Sequence, residues 1–492
     1  MVKILNYSQD DLYELALYVN KQAKAKGASE SDVEIDVDAG TSVSVRLKEL
    51  ESISLNNDKS LSITVYFGKK RGLATTSDFS KEAIESCLAA ACDIAKFTGE
   101  DEAFGLASEK LFPKEEIELD LYHPFGDSQD AMIEKALVSE AAALSFDKRI
   151  NNSEGANFST SNNLFVQANS NGFIGGFPSS RHTISCSVIA KDSSGMQRDY
   201  SYSNARKIVN LQSLEEIGES SAQRAINRLM PKPIETGRYP VIFESQVATS
   251  LISSIVSASS GTNQYRKTSF LLNSLDKKIA SEHLTINENP YLKHGNATTY
   301  FDGEGVYVKP RVVVDKGFLK GYFLSSYSAR RLKMETTGNA GGAHNLIANS
   351  SNLSFEELIK KMGRGLVVTE LMGQGLNIVT GDYSRGVAGF WVEEGAIVHP
   401  VEEITIAGNM RDMLLNISHI GNDTYRNGSQ YIGSVLIDEM TIAPSHKNDS
   451  VVIVTDVITE EIDVISSDKN DEIDKSELNN SLETKNYNGK DI

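Results

Sequence analysis

The stretch Tyr239–Leu272, YPVIFESQVATSLISSIVSASSGTNQYRKTSFLL, decides how the rest of the chain is read. Val241, Ile242 and Phe243 make a short strand. Val247, Leu251 and Ile255 then recur one turn apart, with Ala248 and Ile252 on the adjacent row, so the spacing predicts a buried helix. Its other face carries Ser250, Ser253, Ser254, Ser257 and Ala258, small residues that let a second backbone or an extended ligand come close. The pattern stops at Gly261, and Arg266, Lys267, Thr268 and Ser269 stand before a second apolar run.

Towards the amino terminus, Ser8-Gln-Asp-Asp11 reads as a capping box opening an amphipathic helix. After Gly27 the period falls to two. Val33 to Val37, Val43 to Val45, Ile53 to Leu55 and Leu61 to Phe67 are expected as four short strands, parted by turns at Gly40 and Asn56-Asn57-Asp58. Ser80 caps a helix containing Cys87, another helix runs from about Ser128 to Leu144, and Ser213-Leu-Glu-Glu216 caps a third that ends at Pro231. Beyond the central stretch, Asp315-Lys316-Gly317 is a hairpin turn and Ser325 starts a helix. Leu366 to Gly375, Ile378 to Gly386, Gly389 to Val392 and Ala396 to Val401 form a barrel-like or sandwich-like antiparallel sheet. The expected fold is α+β with two domains. Residues 1–235 form a sheet-and-helix domain, residues 236–446 a largely antiparallel β domain with a central buried helix, and residues 447–492 an acidic, disordered tail.

Composition narrows the function classes. A formal charge of −18 over 492 residues, with no segregated basic patch, argues against nucleic acid or an anionic membrane as partner. The first residues lack the pattern of a secretory signal, and no apolar run approaches the roughly 20 residues that span a bilayer, so the expected location is cytoplasmic. Cys87, Cys92 and Cys186 have no zinc-type spacing, and Cys87 sits on a helical stripe as a small hydrophobe.

The central stretch resembles the TldD/TldE peptidase family, on its TldE (PmbA) branch, and so do Gly195-Met-Gln-Arg-Asp-Tyr200, Ser326-Tyr-Ser-Ala-Arg330 and Thr337-Gly-Asn-Ala-Gly-Gly-Ala-His-Asn345. The resemblance spans roughly residues 5 to 445. In the TldD branch it implies a His-Glu-x-x-x-His helix that binds a metal and activates water. Here those positions, aligned by Lys267-Thr268-Ser269, hold Ile252, Ser253 and Ser257. Isoleucine has no donor atom and serine is a poor ligand for such an ion. A further cysteine ligand near the carboxy terminus is missing too, since no cysteine follows Cys186. The resemblance therefore implies a chain with no metal or other cofactor of its own, inactive alone. It would act in a heteromeric peptidase whose TldD-type partner carries the metal, zinc by the family's chemistry, and whose substrates are unfolded peptides such as peptide-antibiotic precursors.

Peptide contact is assigned to Ser254 and Ser257 on the helix and to Gly341, Gly342, His344 and Asn345 in the most glycine-rich loop. That loop has a second reading, a tight turn whose histidine caps a neighbouring element. Arg198 beside Asp199 and Tyr200 reads as a solvated or salt-bridged strand end. The remaining histidines, including His283, His294, His399 and His419, are dispersed, and His399 with Glu402 is read as a surface pair. Ser274-Leu-Asp-Lys277 matches Ser-x-x-Lys without the companion motifs of a serine hydrolase. Two other classes of function stay open: a peptidase active through an unrecognised site, and a peptide-binding scaffold with no peptidase partner.

Overall fold

The computed structural model describes residues 2–444, which pack together as one unit. The acidic tail expected at 447–492 lies outside the described residues. A two-residue hairpin, β1 (Lys3–Ile4) and β2 (Tyr7–Ser8), leads into α1 (Gln9–Ala25), whose capping box forms through Ser8 and Asp11. Then come β3 (Glu30–Arg46), β4 (Glu49–Phe67), β5 (Lys70–Thr76), α2 (Lys81–Phe97), α3 (Gln129–Phe146), β6 (Ile150–Asn169), β7 (Ile174–Asp192), β8 (Gly195–Ala205) and α4 (Leu214–Asn227). These strands make one antiparallel sheet in the order β5-β4-β3-β6-β7-β8. Val33, Ile35 and Val37 of β3 pack with α1 and α2, while Val43 and Val45, on the same parity, pack with α3 and α4. All four helices therefore cover one face of the sheet. The β8 edge is left beside the second half.

The expected turns at Gly40 and at Asn56 to Asp58 are not turns. Both lie inside long strands, where Gly40 pairs with Asn56 and with Ser161, because β3 is flanked on both sides over most of its length and the ladder overrides local turn preference. The real reversal is Leu47-Lys48, with φ of 52° and 69° and neither glycine nor asparagine to ease it. Its support comes from 92 residues away. The fully buried carboxylate of Glu140 on α3 accepts the backbone N–H groups of Leu47 and Lys48, each at 2.8 Å.

The second half begins with β9 (Gly237–Phe243), α5 (Ser245–Ala258) and α6 (Gly261–Tyr265). It continues with β10 (Ile286–Asn289), β11 (Arg311–Asp315), β12 (Phe318–Leu319), α7 (Ser326–Leu332), β13 (Asn345–Ala348), α8 (Phe355–Met362), β14 (Gly365–Met372), β15 (Asp382–Glu393), β16 (Ala396–Asn409), α9 (Met410–Leu415), β17 (Ile417–Ile420), β18 (Gln430–Tyr431) and β19 (Val435–Pro444). A barrel runs β16-β15-β14-β9-β19 and closes by pairing of β16 with β19. Only β9 with β14 is parallel within it. The walls approach closely where β15 crosses β14: a Cβ on Gly389 would stand 1.8 Å from the Val367 carbonyl oxygen, so no side chain fits there. A smaller sheet, β12-β11-β10-β13-β18, lies outside the barrel. The fold is thus α+β, with the antiparallel second half and its buried helix as expected.

Helix α5 buries Ala248, Leu251, Ile252, Ile255 and Ala258 in the main core with Val241, Phe243, Leu366 and Val368. Each larger side chain contributes roughly 1.5–3 kcal/mol by leaving water. Ala258, expected on the open face, belongs to this core. The halves also meet through rings: Phe165, Phe173 and Phe177 of the first surround Phe301 of the second at centroid distances of 6.1, 5.0 and 5.9 Å.

Glu140→Ala is expected to lower stability by about 2–3 kcal/mol in denaturant titrations, since it strips a charged acceptor from two donors. Adding Leu47→Asn and Lys48→Gly in that background should recover part of the loss, because those residues relieve the positive φ.

Candidate functional site

Between the halves lies a groove of about 600 Å³. One wall is α5, through Gln246, Val247, Ser250, Ser253, Ser254 and Ser257. The opposite wall is β8 with α4, through Arg198, Asp199, Tyr200, Arg224 and Arg228, and Glu370, Gln374, Gly375, Tyr383 and Arg385 complete the lining. The serines are largely occupied. Ser250 and Ser254 hydroxyls donate back to Val247 and Ser250 carbonyls at 2.6 and 2.8 Å, and Ser253 exchanges hydrogen bonds with Gln430 at 3.0–3.1 Å. What α5 offers is closeness of approach and a half-apolar surface.

The opposite wall is held by charge. Asp199, 7% exposed in its side chain, takes Arg224 of α4 at 3.2 Å and Arg228, the C-cap of that helix one turn later, at 3.5 Å. Arg224 also reaches Glu244 at 3.0 Å, and Arg228 reaches Glu370 at 2.6 Å. Burial opposes the charge on Arg224, but Glu244 and Asp199 outweigh it and hold the guanidinium more firmly protonated than usual. Arg198 pairs with Glu154 rather than with Asp199, and Tyr200 accepts from Gln246 at 3.1 Å. The salt-bridged strand end expected from sequence is here, and it is also a wall of the groove.

The residues assigned to peptide contact do not converge. Ser254 and Ser257 line the groove, whereas Gly341 lines a separate cavity of about 450 Å³ with Asp32, Glu34, Arg71 and Glu304, and the two cavities share no lining residue. Gly342 is exposed at φ +126°. His344 and Asn345 are buried and bonded within the loop's own surroundings. His344 Nε2 lies 2.8 Å from the Gly338 carbonyl, its backbone N–H donates to buried Glu288, and Asn345 Nδ2 donates to the Asn289 carbonyl and to Thr298. Their polar atoms brace the loop and are not presented to the groove. The signal for the residues that do line it was available in part: arginines at i and i+4 on α4 and its C-cap, and Tyr383 and Arg385 at strand spacing.

Residues that would hold a metal do not meet in the groove. Of the three motif positions, Ile252 is 1% exposed in the core, Ser253 is bonded to Gln430, and Ser257 offers only a hydroxyl. Among the described residues lining the groove there is no histidine or cysteine, and its two carboxylates, Asp199 and Glu370, are held by arginines. That donor set does not suit zinc. Four histidines that are dispersed along the sequence meet in space as two pairs. His283 stacks on His419 at 5.7 Å, and His123 meets His294 edge-on at 5.4 Å with Asp120 between them. Asp120 lies 3.1 Å from His123 Nε2, 2.9 Å from His294 Nε2 and 3.2 Å from Lys293 Nζ. Hydrogen bonds from His294 and Lys293 hold its carboxyl down at about 2. This cluster joins the halves away from the groove. His399 and Glu402 form no pair: His399 contacts the Pro400 carbonyl and Glu402 accepts from Gln197.

Fold and groove together define a two-halved α+β scaffold with a groove between the halves, and the sequence comparisons name its family. PmbA/TldA metallopeptidase domain 1 matches residues 32–95, the central domain 122–229 and the C-terminal domain 236–444. The chain belongs to the PmbA/TldD metallopeptidase family, in its PmbA (TldE) branch. It is 47% identical over 395 residues to metalloprotease PmbA of Escherichia coli O157:H7, and 43% identical over 396 residues to a PmbA homolog of Haemophilus influenzae, in each case over 80% of this chain and 88% of the relative. A TldD homolog of Buchnera aphidicola is 26% identical over 211 residues, 40% of this chain and 44% of that protein. Among solved structures, a candidate modulator of DNA gyrase from Bacteroides thetaiotaomicron superposes with a TM-score of 0.84 at 26% identity, over 89% of this chain and 99% of that one. TldE from Thermococcus kodakarensis shares the fold with a TM-score of 0.77 at 21% identity, over 87% and 100%.

The glycine-rich loop generates a pH prediction. Asp302 accepts from the N–H groups of Ala340, Glu304 and Val306 and so ties the loop down, yet burial, with Glu304 adding to it, pushes its carboxyl up to about 7. The folded state then holds a proton that the unfolded chain releases near the ordinary carboxyl value. Stability is greatest below that value and falls as pH rises towards about 7, by at most about 4 kcal/mol. Asp302→Asn should flatten the dependence of the denaturation midpoint on pH between about 4 and 7; an unchanged slope would assign it elsewhere.

Proposed function

We propose that this chain is the non-catalytic TldE-type subunit of a heteromeric peptidase, and that its groove forms part of the channel that admits unfolded peptides. The observation that carries the reading is the groove's chemistry: the family scaffold is retained, while the motif positions of α5 hold a core isoleucine and two serines. A TldD-type partner would supply the metal, zinc by the family's chemistry, together with the activated water and the general base. This chain's contribution is to bind and orient. Along one wall runs β8, the edge strand of the first sheet, and its backbone is already met by an amide from outside: Asn427 Nδ2 donates to the Tyr202 carbonyl, and Asn427 Oδ1 accepts from the Asn204 N–H. An extended peptide would add to such an edge in the same manner. The cytoplasm is the proposed location; among the described residues no helix is long and apolar enough to cross a membrane.

The test is a paired one. Metal content and hydrolysis of an unfolded peptide are measured for this chain, for a TldD-type subunit and for the mixture. Metal and hydrolysis are expected to follow the TldD-type subunit, with turnover rising when this chain is added. Chelator-sensitive hydrolysis by this chain alone would reject the reading in favour of an independent peptidase, and failure of the two chains to associate would favour a free-standing scaffold.

A further inference from the structure

Four arginines line the groove, and three of them are committed. Arg198 faces Glu154, Arg224 faces Asp199 and Glu244, and Arg228 faces Asp199 and Glu370. The fourth, Arg385, has no acidic partner among the described residues, and its Nε is buried with no hydrogen-bond acceptor. Two residues earlier on β15, on the same face of the strand, Tyr383 is 4% exposed, and the Arg385 guanidinium is the one polar neighbour of its buried hydroxyl among the described residues. Both side chains line the groove. A half-buried guanidinium without a counter-ion, whose neighbour is a neutral hydroxyl, is unfavourable unless an anion completes it.

The surroundings aim this group. Beyond the last β14 pairing, at Met372 and Gly386, the flank of β15 is taken over by the loop at Gly375, whose carbonyl accepts from the Ser384 N–H at 2.8 Å. A Cβ on Gly375 would stand 3.0 and 3.1 Å from Cβ and Cγ of Arg385, so bare backbone lies against the stem and limits where the guanidinium can point. The rest of the groove sets the charge of what can bind. Arg198, Arg224 and Arg228 are already shared among four carboxylates, so nothing is left over for a dianion. A planar monoanion matches the guanidinium fork.

We propose that Arg385, backed by Tyr383, is the receptor for one carboxylate of an extended peptide lying in the groove, either the C-terminal carboxylate or an Asp or Glu side chain. The proposal rests on the reading of the groove as a peptide channel and adds an anchor that sets where along the channel a substrate is held.

The test uses three unstructured peptides of one sequence, about ten residues long and carrying a neutral dye: an acid-free peptide with a free C-terminus, its C-terminal amide, and the amide with a single internal Asp. Binding is followed by fluorescence anisotropy to the full chain, alone and with a TldD-type subunit. At least one carboxylate-bearing peptide is expected to bind about tenfold more tightly than the plain amide, and which one does so identifies the source of the carboxylate. Arg385→Gln, with its melting curve confirming the fold, should abolish the preference for that peptide over the amide. If wild type binds all three equally, or if Arg385→Gln keeps the preference, the carboxylate site is overturned and the channel reading stands. If none of the three binds in either format, the channel reading falls and the site with it.

Discussion

Asp199 is a nearly buried carboxylate at the seam of the two halves, and the geometry of the groove follows from what it must bind. Two arginines one turn apart, on α4 and at its C-cap, converge on it, and each reaches a second acid in the other half: Glu244, which precedes the first turn of α5, and Glu370 on β14. Glu244 at that position also faces the positive end of the helix dipole. Ions taken out of water in this way are tolerable only when each is matched, since an unpaired member would retain its full desolvation cost. The chain of alternating charges therefore links β8, α4, α5 and β14 in one arrangement. Those are elements that line the groove.

This arrangement explains why the groove is polar although the residues lining it are not a zinc-type donor set. Its carboxylates are there to hold arginines, and the hydroxyls of Ser250 and Ser254 are turned back onto their own helix. The wall formed by α5 is consequently smooth and the wall formed by β8 is rigid. Such a surface can accept an extended chain of varied side chains, because close approach to a backbone depends little on which side chains that backbone carries.

Local signals were legible wherever a single element carried them. The strand-helix-turn from Val241 to Gly261, the caps at Ser8, Ser80, Ser213 and Ser325, and the Lys316-Gly317 turn all depend on neighbours within a few residues. What failed depended on distant partners. Gly40 and Asn56 to Asp58 look like turns until β6 is laid beside β3, and Leu47-Lys48 does not look like one until Glu140 is placed under it. Barrel closure joins Ile404 with Pro444, and no local pattern announces it. The same holds for the site. Helical spacing puts Ser254 and Ser257 on the face of α5 that lines the groove, whereas His344 and Asn345 are buried and their polar groups satisfy a loop whose partners are distant in sequence.

The strand carrying Arg385 shows why position in the barrel bears on recognition. Its partner on one side, β16, pairs Tyr383 with Gly408 and Arg385 with Ile406, which fixes which residues face α5. On the other side the ladder stops at Gly386, and a loop takes over with Gly375 against the arginine's stem. A side chain rooted in a barrel wall moves less than one carried on a free loop, so the charge it presents has a defined location. Had the same arginine sat in the 336–345 loop, the field it offers would shift with the loop. On β15 it marks a fixed point in the groove, whose other lining includes a helix that lets a backbone come close, and a chain lying along that helix would meet it in one register.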